Sequence, residues 1–238
     1  MTDLNLNIGA LHTDITLTLH THHATKIWKG KQISLPDGTL STRIISIPSC
    51  LKILNQIHQH SAQDNPYADA YLLKIEQQIL SARKILSEKQ EQLLDLYTDK
   101  LPEDIKLSQS FNINPVKIPL IIRSSIGYQL IYLLSDFDNL VRIALTASHI
   151  AILNRDETKN IIERTAHLLR SILGIIQRYQ NANITRNELK SGSISAQAVL
   201  KRFGELPLEI LERKQRSQFA PNTTNSKDES PKSAIEGE

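Results

Sequence analysis

The stretch DITLTLHTHH, residues 14–23, concentrates side chains able to do chemistry: hydroxyls at Thr16 and Thr18, imidazoles at His20, His22 and His23. Two chemistries suit such a set. His20 and His22 share one face of a strand and could ligate a metal, with His12 or His23 as a third ligand. Metal sites of that kind ask for cysteine, or for a third ligand with carboxylates that orient the imidazoles. The sequence holds one cysteine, Cys50, and no H-x-x-x-H or H-E-x-x-H helix pattern. The second chemistry is hydrogen bonding: hydroxyl and imidazole groups both donate and accept, as the edges of base pairs require. This fits the stretch better than a metal, although a merely solvated strand face would carry the same residues.

Other catalytic patterns are missing. No serine lies in a G-x-S-x-G turn, and Cys50 opens an apolar helical pattern, where a small buried thiol is expected. The eight glycines are scattered and form no phosphate-cradling loop. Asp136 and Asp138 flank Phe137 in a strongly apolar segment, where a helix break with local caps explains them most simply. The chain is read as a non-enzyme without cofactor or metal.

Cations stand close to the histidine stretch. Lys26, Lys29 and Lys31 follow it directly and are placed to neutralise phosphates. A second strand candidate, 116–122 (VKIPLII), carries Lys117, with Arg123 just beyond it and a helix start at Ser124–Ser125. These suit phosphate more than bases, because Pro119 and Ile121 share the outward face with Lys117. The expected base readers are therefore Thr16, Thr18 and His20, with Lys26, Lys29, Lys31, Lys117 and Arg123 on the DNA backbone. Which strand enters the groove stays open between the two candidates.

Those residues need a platform. In 14–20, Ile15, Leu17 and Leu19 alternate with the polar set, the period-two pattern of a half-buried strand. Pro119 cannot donate to a ladder and confines 116–122 to an edge or a ribbon. A two-stranded ribbon is marginal alone, so a helical base and a second subunit are expected beneath it. Residues 36–43 carry turn chemistry, 43–49 a short strand, and Ser49 is placed to cap a helix reaching about His60. Asn65-Pro66 starts a long helix over 65–97, with a stripe through Ala68, Leu72, Ile75, Ile79, Ala82, Leu86, Leu93 and Tyr97. Its roughly 30 residues make an arm near 45 Å.

A helical core over 125–180 follows, broken near 135–139 and recapped by Asp156. Short helices over 185–214 open with the capping box Thr185–Glu188. The chain to Leu211 and beyond, 1–216, reads as one domain, and 217–238 as a disordered tail.

The 238 residues carry a net charge of +3, and aromatics make up 5% of them. Weak basicity allows nucleic-acid binding only where the charge is gathered on one face. The opening has neither a basic start nor an apolar core, and apolar runs fall short of the ~20 residues that span a bilayer. A cytoplasmic protein without membrane contact is expected.

Five blocks occur in order across roughly residues 14–221: LTLHTHHATKIWKGK, DNPYADAYLLKIE, VKIPLIIRSSIGYQLIYLLSDFDNLVRIALTASHIAILNRD, ITRNEL and GELPLEIL…FAP. Together they resemble the AcaB-like family encoded on conjugative plasmids and integrating conjugative elements. The resemblance implies a DNA-binding transcriptional regulator of conjugative-transfer genes with ribbon-helix-helix character. The family pattern has a basic residue where Ser148 stands here, which removes that contact if relatives use it on DNA.

The expectation is thus an α+β, mainly helical homodimer, ribbon-helix-helix-like, with a short β-ribbon on a multi-helix body and one long helical arm. Its partners would be double-stranded DNA and other transcription or transfer proteins. The alternative is a structural or adaptor protein of a conjugative element without DNA-binding activity.

Overall fold

The protein is described from a computed structural model over residues 15–34, 40–107 and 110–223. Strand β1, Ile15–Leu19, keeps the alternation of its sequence: Leu17 and Leu19 are buried and Thr16 is exposed. Helix α1, His22–Lys29, follows after one turn, with Thr21 as its N-cap. Gly30 ends it at φ +69°, and any Cβ there would lie 2.5 Å from the Ile44 carbonyl oxygen. Only glycine fits so close a backbone approach.

Strands β2, Lys31–Ser34, and β3, Leu40–Ile44, form an antiparallel hairpin that returns the chain to helix α2, Ile47–Ala62. This differs from the sequence reading, which placed a strand over 43–49 and the cap at Ser49. Ser46 is the N-cap, accepting the Ser49 amide, and Pro48 sits within the first turn, where its missing N–H costs nothing.

Helix α3, Pro66–Lys100, is capped by Asn65, whose side chain accepts from the Tyr67 and Ala68 amides. At 35 residues it spans about 52 Å. The stripe expected from sequence is its buried face, and the helix packs within the chain, on α2 and on three later helices. Strand β4, Val116–Leu120, leads into helix α4, Ser125–His149, and helix α5, Arg155–Gln177. The expected break at 135–139 is absent: α4 runs through it with Phe137 and Asp138 both buried. Asn154, not Asp156, caps α5 in a reciprocal box with Glu157.

Helix α4 is central, touching α1, α2, α3 and α5. Truncating one of its fully buried leucines, such as Leu133 or Leu134, should cost about 2–5 kcal/mol. Three short helices close the fold: α6, Arg186–Lys190, α7, Ile194–Phe203, and α8, Leu208–Leu211. They are fastened by a buried ion network. Arg186, 3% exposed, donates to Asp64 and Asp69, each at 2.5 Å, and to the Ile210 carbonyl. Arg213 and Arg216 reach the same two carboxylates at 2.9 Å.

The fastening continues past Ser217, where the sequence reading began a tail. Ser217 and Thr223 are buried, Phe219 packs on the core, and the Gln218 amide donates to Glu76 at 3.1 Å. Among the described residues no helix is long and apolar enough to cross a membrane.

Candidate nucleic-acid interface

The two strand candidates are partners of each other. β1 and β4 pair antiparallel in the register Ile15↔Leu120, Thr16↔Pro119, Leu17↔Ile118, Thr18↔Lys117 and Leu19↔Val116. Paired residues project from the same face of a ribbon, and the face alternates along each strand. One face therefore gathers Leu17, Leu19, Ile118 and Leu120, all packed on the helical core. The other gathers Thr16, Thr18, Lys117 and Pro119, with Thr16, Lys117 and Pro119 exposed and Thr18 half-buried. Sequence reasoning treated the strands as rivals and expected a second subunit to complete the ribbon. The pairing instead closes within the chain, because Ile118 and Leu120 meet Leu17 and Leu19 over one apolar platform.

The end of β1 is anchored by a residue that local reasoning misread. The Asp138 carboxylate, 3% exposed on α4, accepts the His20 amide at 2.8 Å and the Thr21 amide at 2.9 Å. It also accepts the Thr21 hydroxyl at 2.7 Å. Thr21 Oγ in turn accepts the Ala24 amide at 3.2 Å. A carboxylate at a helix N-terminus is stabilised by the unpaired amides there and by the helix dipole. Asp138 thus serves α1 from across the core. The only local signal was a charged residue inside a strongly apolar helix, which must find donors when buried. Asp136 points elsewhere and pairs with Arg83 at 2.7 Å.

His20 stands at the ribbon's end. Its Nδ1 accepts the Asn112 amide at 3.2 Å, and its carbonyl accepts the Asn112 side-chain N–H at 2.9 Å. Its ring meets Phe111 edge-on at 5.6 Å, and the Arg142 guanidinium lies over the Phe111 ring, 4.9 Å from its centroid. Phe111, Asn112 and Arg142 escaped sequence reasoning, since nothing local to them signals a histidine so distant in the chain.

The cations divide into two sets. Lys117 lies on the ribbon face, and the exposed Arg123 follows in the turn to α4, next to Ile121, which is 88% exposed. Ser124, placed by sequence at a phosphate-facing helix start, is interior instead, 2% exposed, because Ile126 and Gly127 carry it into the core. Lys26 and Lys29 are exposed on the last turn of α1, and Lys31 is exposed at the start of β2. The tight approach of Gly30 to Ile44–Ser46 sets Lys29 and Lys31 beside the N-terminus of α2. Lys26 also belongs to a positive cluster: burial first, then the charges of Lys26, His22 and Arg170, hold the His23 pKa below its ordinary value.

Among the described residues no group of three or more His, Cys, Asp or Glu side chains could hold a metal ion. His12, the third ligand considered from sequence, lies outside the described residues. Cys50 is buried, and burial pushes its thiol up to about 12, which removes the thiolate a nucleophile needs.

Comparisons with known proteins bear on this geometry. The chain matches the family model described as "Transcriptional regulator AcaB" over residues 7–223. Among solved structures it is similar to selenomethionine-containing AcaB from uropathogenic E. coli, at 15% sequence identity and a TM-score of 0.55. That match covers 85% of this chain and 98% of the other, and at such identity it is a likeness of fold. No curated protein matches the chain. With nearly the whole described chain inside one family model, the protein belongs to the AcaB family of transcriptional regulators.

Proposed function

We propose that this regulator binds double-stranded DNA in a sequence-specific manner and controls conjugative-transfer genes, reading the duplex with the β1–β4 ribbon. The observation that carries the reading is the outward face of Thr16, Thr18 and Lys117 on a ribbon backed by buried Leu17 and Leu19. A two-stranded ribbon fits the major groove, where hydroxyls meet base edges as donors or acceptors and lysine meets guanine or phosphate. Arg123, exposed in the turn to α4, follows that face. Lys26, Lys29 and Lys31 form a second cationic set for the phosphate backbone, assisted by the nearby α2 N-terminus. His20 has the different task of fixing the ribbon's end, since its ring nitrogen and carbonyl are both held by Asn112.

A second reading rests on exposed apolar side chains of the long helix. Leu80 and Leu94 of α3 are each more than 40% exposed and lie on roughly one side of the helix, where another transcription or transfer protein could meet them. An adaptor acting through α3 alone would leave the ribbon face idle. Fluorescence anisotropy separates the two, using duplexes from upstream of transfer genes and scrambled duplexes of equal length. The DNA reading expects a preference for one duplex and a Kd that weakens steeply with salt. Equal and feeble binding to all duplexes at moderate salt supports the adaptor.

A further inference from the structure

The ribbon sits on a repeated arrangement. Strand β1 runs through one turn into α1, and β4 runs through one turn into α4. Each first helix packs on a second helix of its own half, α1 on α2 and α4 on α5. The halves then meet like with like: strand pairs with strand, α1 packs on α4, and α2 packs on α5. The cross contacts are reciprocal too, α2 with α4 and α1 with α5. In the antiparallel register, Leu17 opposite Ile118 is the middle pair, with two pairs on either side. The inward residues also exchange places, Leu17 and Leu19 on one strand answering Ile118 and Leu120 on the other.

We propose that β1–α1–α2 and β4–α4–α5 are quasi-equivalent halves of a complete ribbon unit, so that one chain reads one asymmetric duplex element without a second copy. The inference rests on the DNA reading above and specifies its stoichiometry and the kind of sequence recognised. In a ribbon built from two identical subunits both strands present the same side chains, which favours palindromic DNA. Here the two strands present different ones. The β1 half offers the hydroxyls of Thr16 and Thr18, and the β4 half offers the ammonium of Lys117 beside Pro119. The helices differ as well: α1 has 8 residues against 25 in α4, and the β2–β3 hairpin is inserted only between α1 and α2. Helix α3 then serves as the connector. It carries the chain from the end of the first half to the start of the second while covering α4. Because the strands are covalently joined through it, ribbon formation does not depend on protein concentration.

Two experiments on the full chain test this. Cross-strand neighbours lie within disulfide reach, so Thr18→Cys with Lys117→Cys, oxidised at low protein concentration, reports which strands pair. Thr16→Cys with Pro119→Cys serves as a second pair should the first fold poorly by circular dichroism. The expected product is a monomer lacking free thiols at both engineered positions. A disulfide-linked dimer, or two free engineered thiols in a folded chain, overturns the inference. The unmodified chain is then selected on a random-sequence pool of 20-base-pair duplexes, and the complex is weighed by native mass spectrometry. One chain per duplex and a non-palindromic consensus are expected. Two chains on a palindromic consensus overturn the single-chain unit but leave DNA reading intact. Intrachain crosslinking with no duplex selected overturns the DNA reading on which the inference rests.

Discussion

Asp138 and Thr21 are joined twice, the Thr21 amide and hydroxyl both donating to one carboxylate oxygen of Asp138, at 2.9 and 2.7 Å. The second carboxylate oxygen takes the His20 amide at 2.8 Å. This places the end of β1 and the start of α1 under the control of the central helix α4. The ribbon face is therefore held at one end by a buried side chain that itself touches no outside partner.

Replacing that carboxylate should be felt in stability. Asp138→Ala strands two backbone amides and a hydroxyl, each costing of order 1–3 kcal/mol when unpaired, less whatever water recovers. A loss of about 3 kcal/mol is expected in urea denaturation, against about 1 kcal/mol for Thr21→Ala, which removes a cap. Equal and small losses would mean that the anchoring is incidental.

The Arg186 network should hold the C-terminal segment. Removing one partner from a buried ion pair leaves an uncompensated charge and costs about 3–5 kcal/mol. Asp64 and Asp69 keep Arg213 and Arg216, so Arg186→Met should fall at the lower end of that range. Trypsin should then cut at Arg213 and Lys214 faster than in the parent chain. An unchanged cleavage rate would show that α6–α8 stay docked without Arg186.

Acid should weaken the fold before the carboxylates titrate. Burial lowers the pKa of His23, His58 and His60, and His60 Nδ1 lies 2.8 Å from the Tyr179 hydroxyl. The unfolded chain then takes up protons near the ordinary histidine value of 6.5, while the folded chain does so only at lower pH. Stability is complete above that value and declines as pH falls through it. The urea midpoint should be lower at pH 5.5 than at pH 7.5, with a smaller difference in His60→Gln. A midpoint rising on acidification would contradict the sign.

Phosphate contacts and base contacts should respond differently. Changing Lys29, Lys31 or Lys117 singly to Gln should weaken binding to every duplex and reduce the slope of log affinity on log salt by about one unit. A slope that is unchanged in all three variants would place the phosphate contacts elsewhere.

Much of this architecture was legible from local pattern. The alternation in 15–19 and 116–120 and the stripe from Ala68 to Leu93 are burial periodicities, and Asn65-Pro66 and Thr185–Glu188 are caps written within four residues. The features that escaped are those set by distant partners. Pairing of β1 with β4 joins residues about a hundred positions apart. Asp138 looked like a helix breaker because its three donors come from residues 20 and 21. The β2–β3 hairpin was read as a turn and a later strand, since Gly30 is explained only by its contact with Ile44–Ser46. Of the candidate site, Thr16, Thr18 and Lys117 share a face, whereas Lys26, Lys29 and Lys31 form a separate set. Ser148, where the family pattern has a basic residue, lies near the far end of α4, about 35 Å along the helix from the β4 junction.

The central claim is that the outward ribbon face reads base edges, and a Thr16→Ala, Thr18→Ala double variant tests it most directly. Its circular dichroism and urea midpoint are first compared with those of the parent, then its Kd for the selected duplex and for a scrambled one. A folded variant whose preference for the selected duplex drops by about 2–6 kcal/mol, with scrambled-duplex binding unchanged, is the predicted result. A folded variant that keeps the full preference would contradict the account and leave the ribbon a structural element.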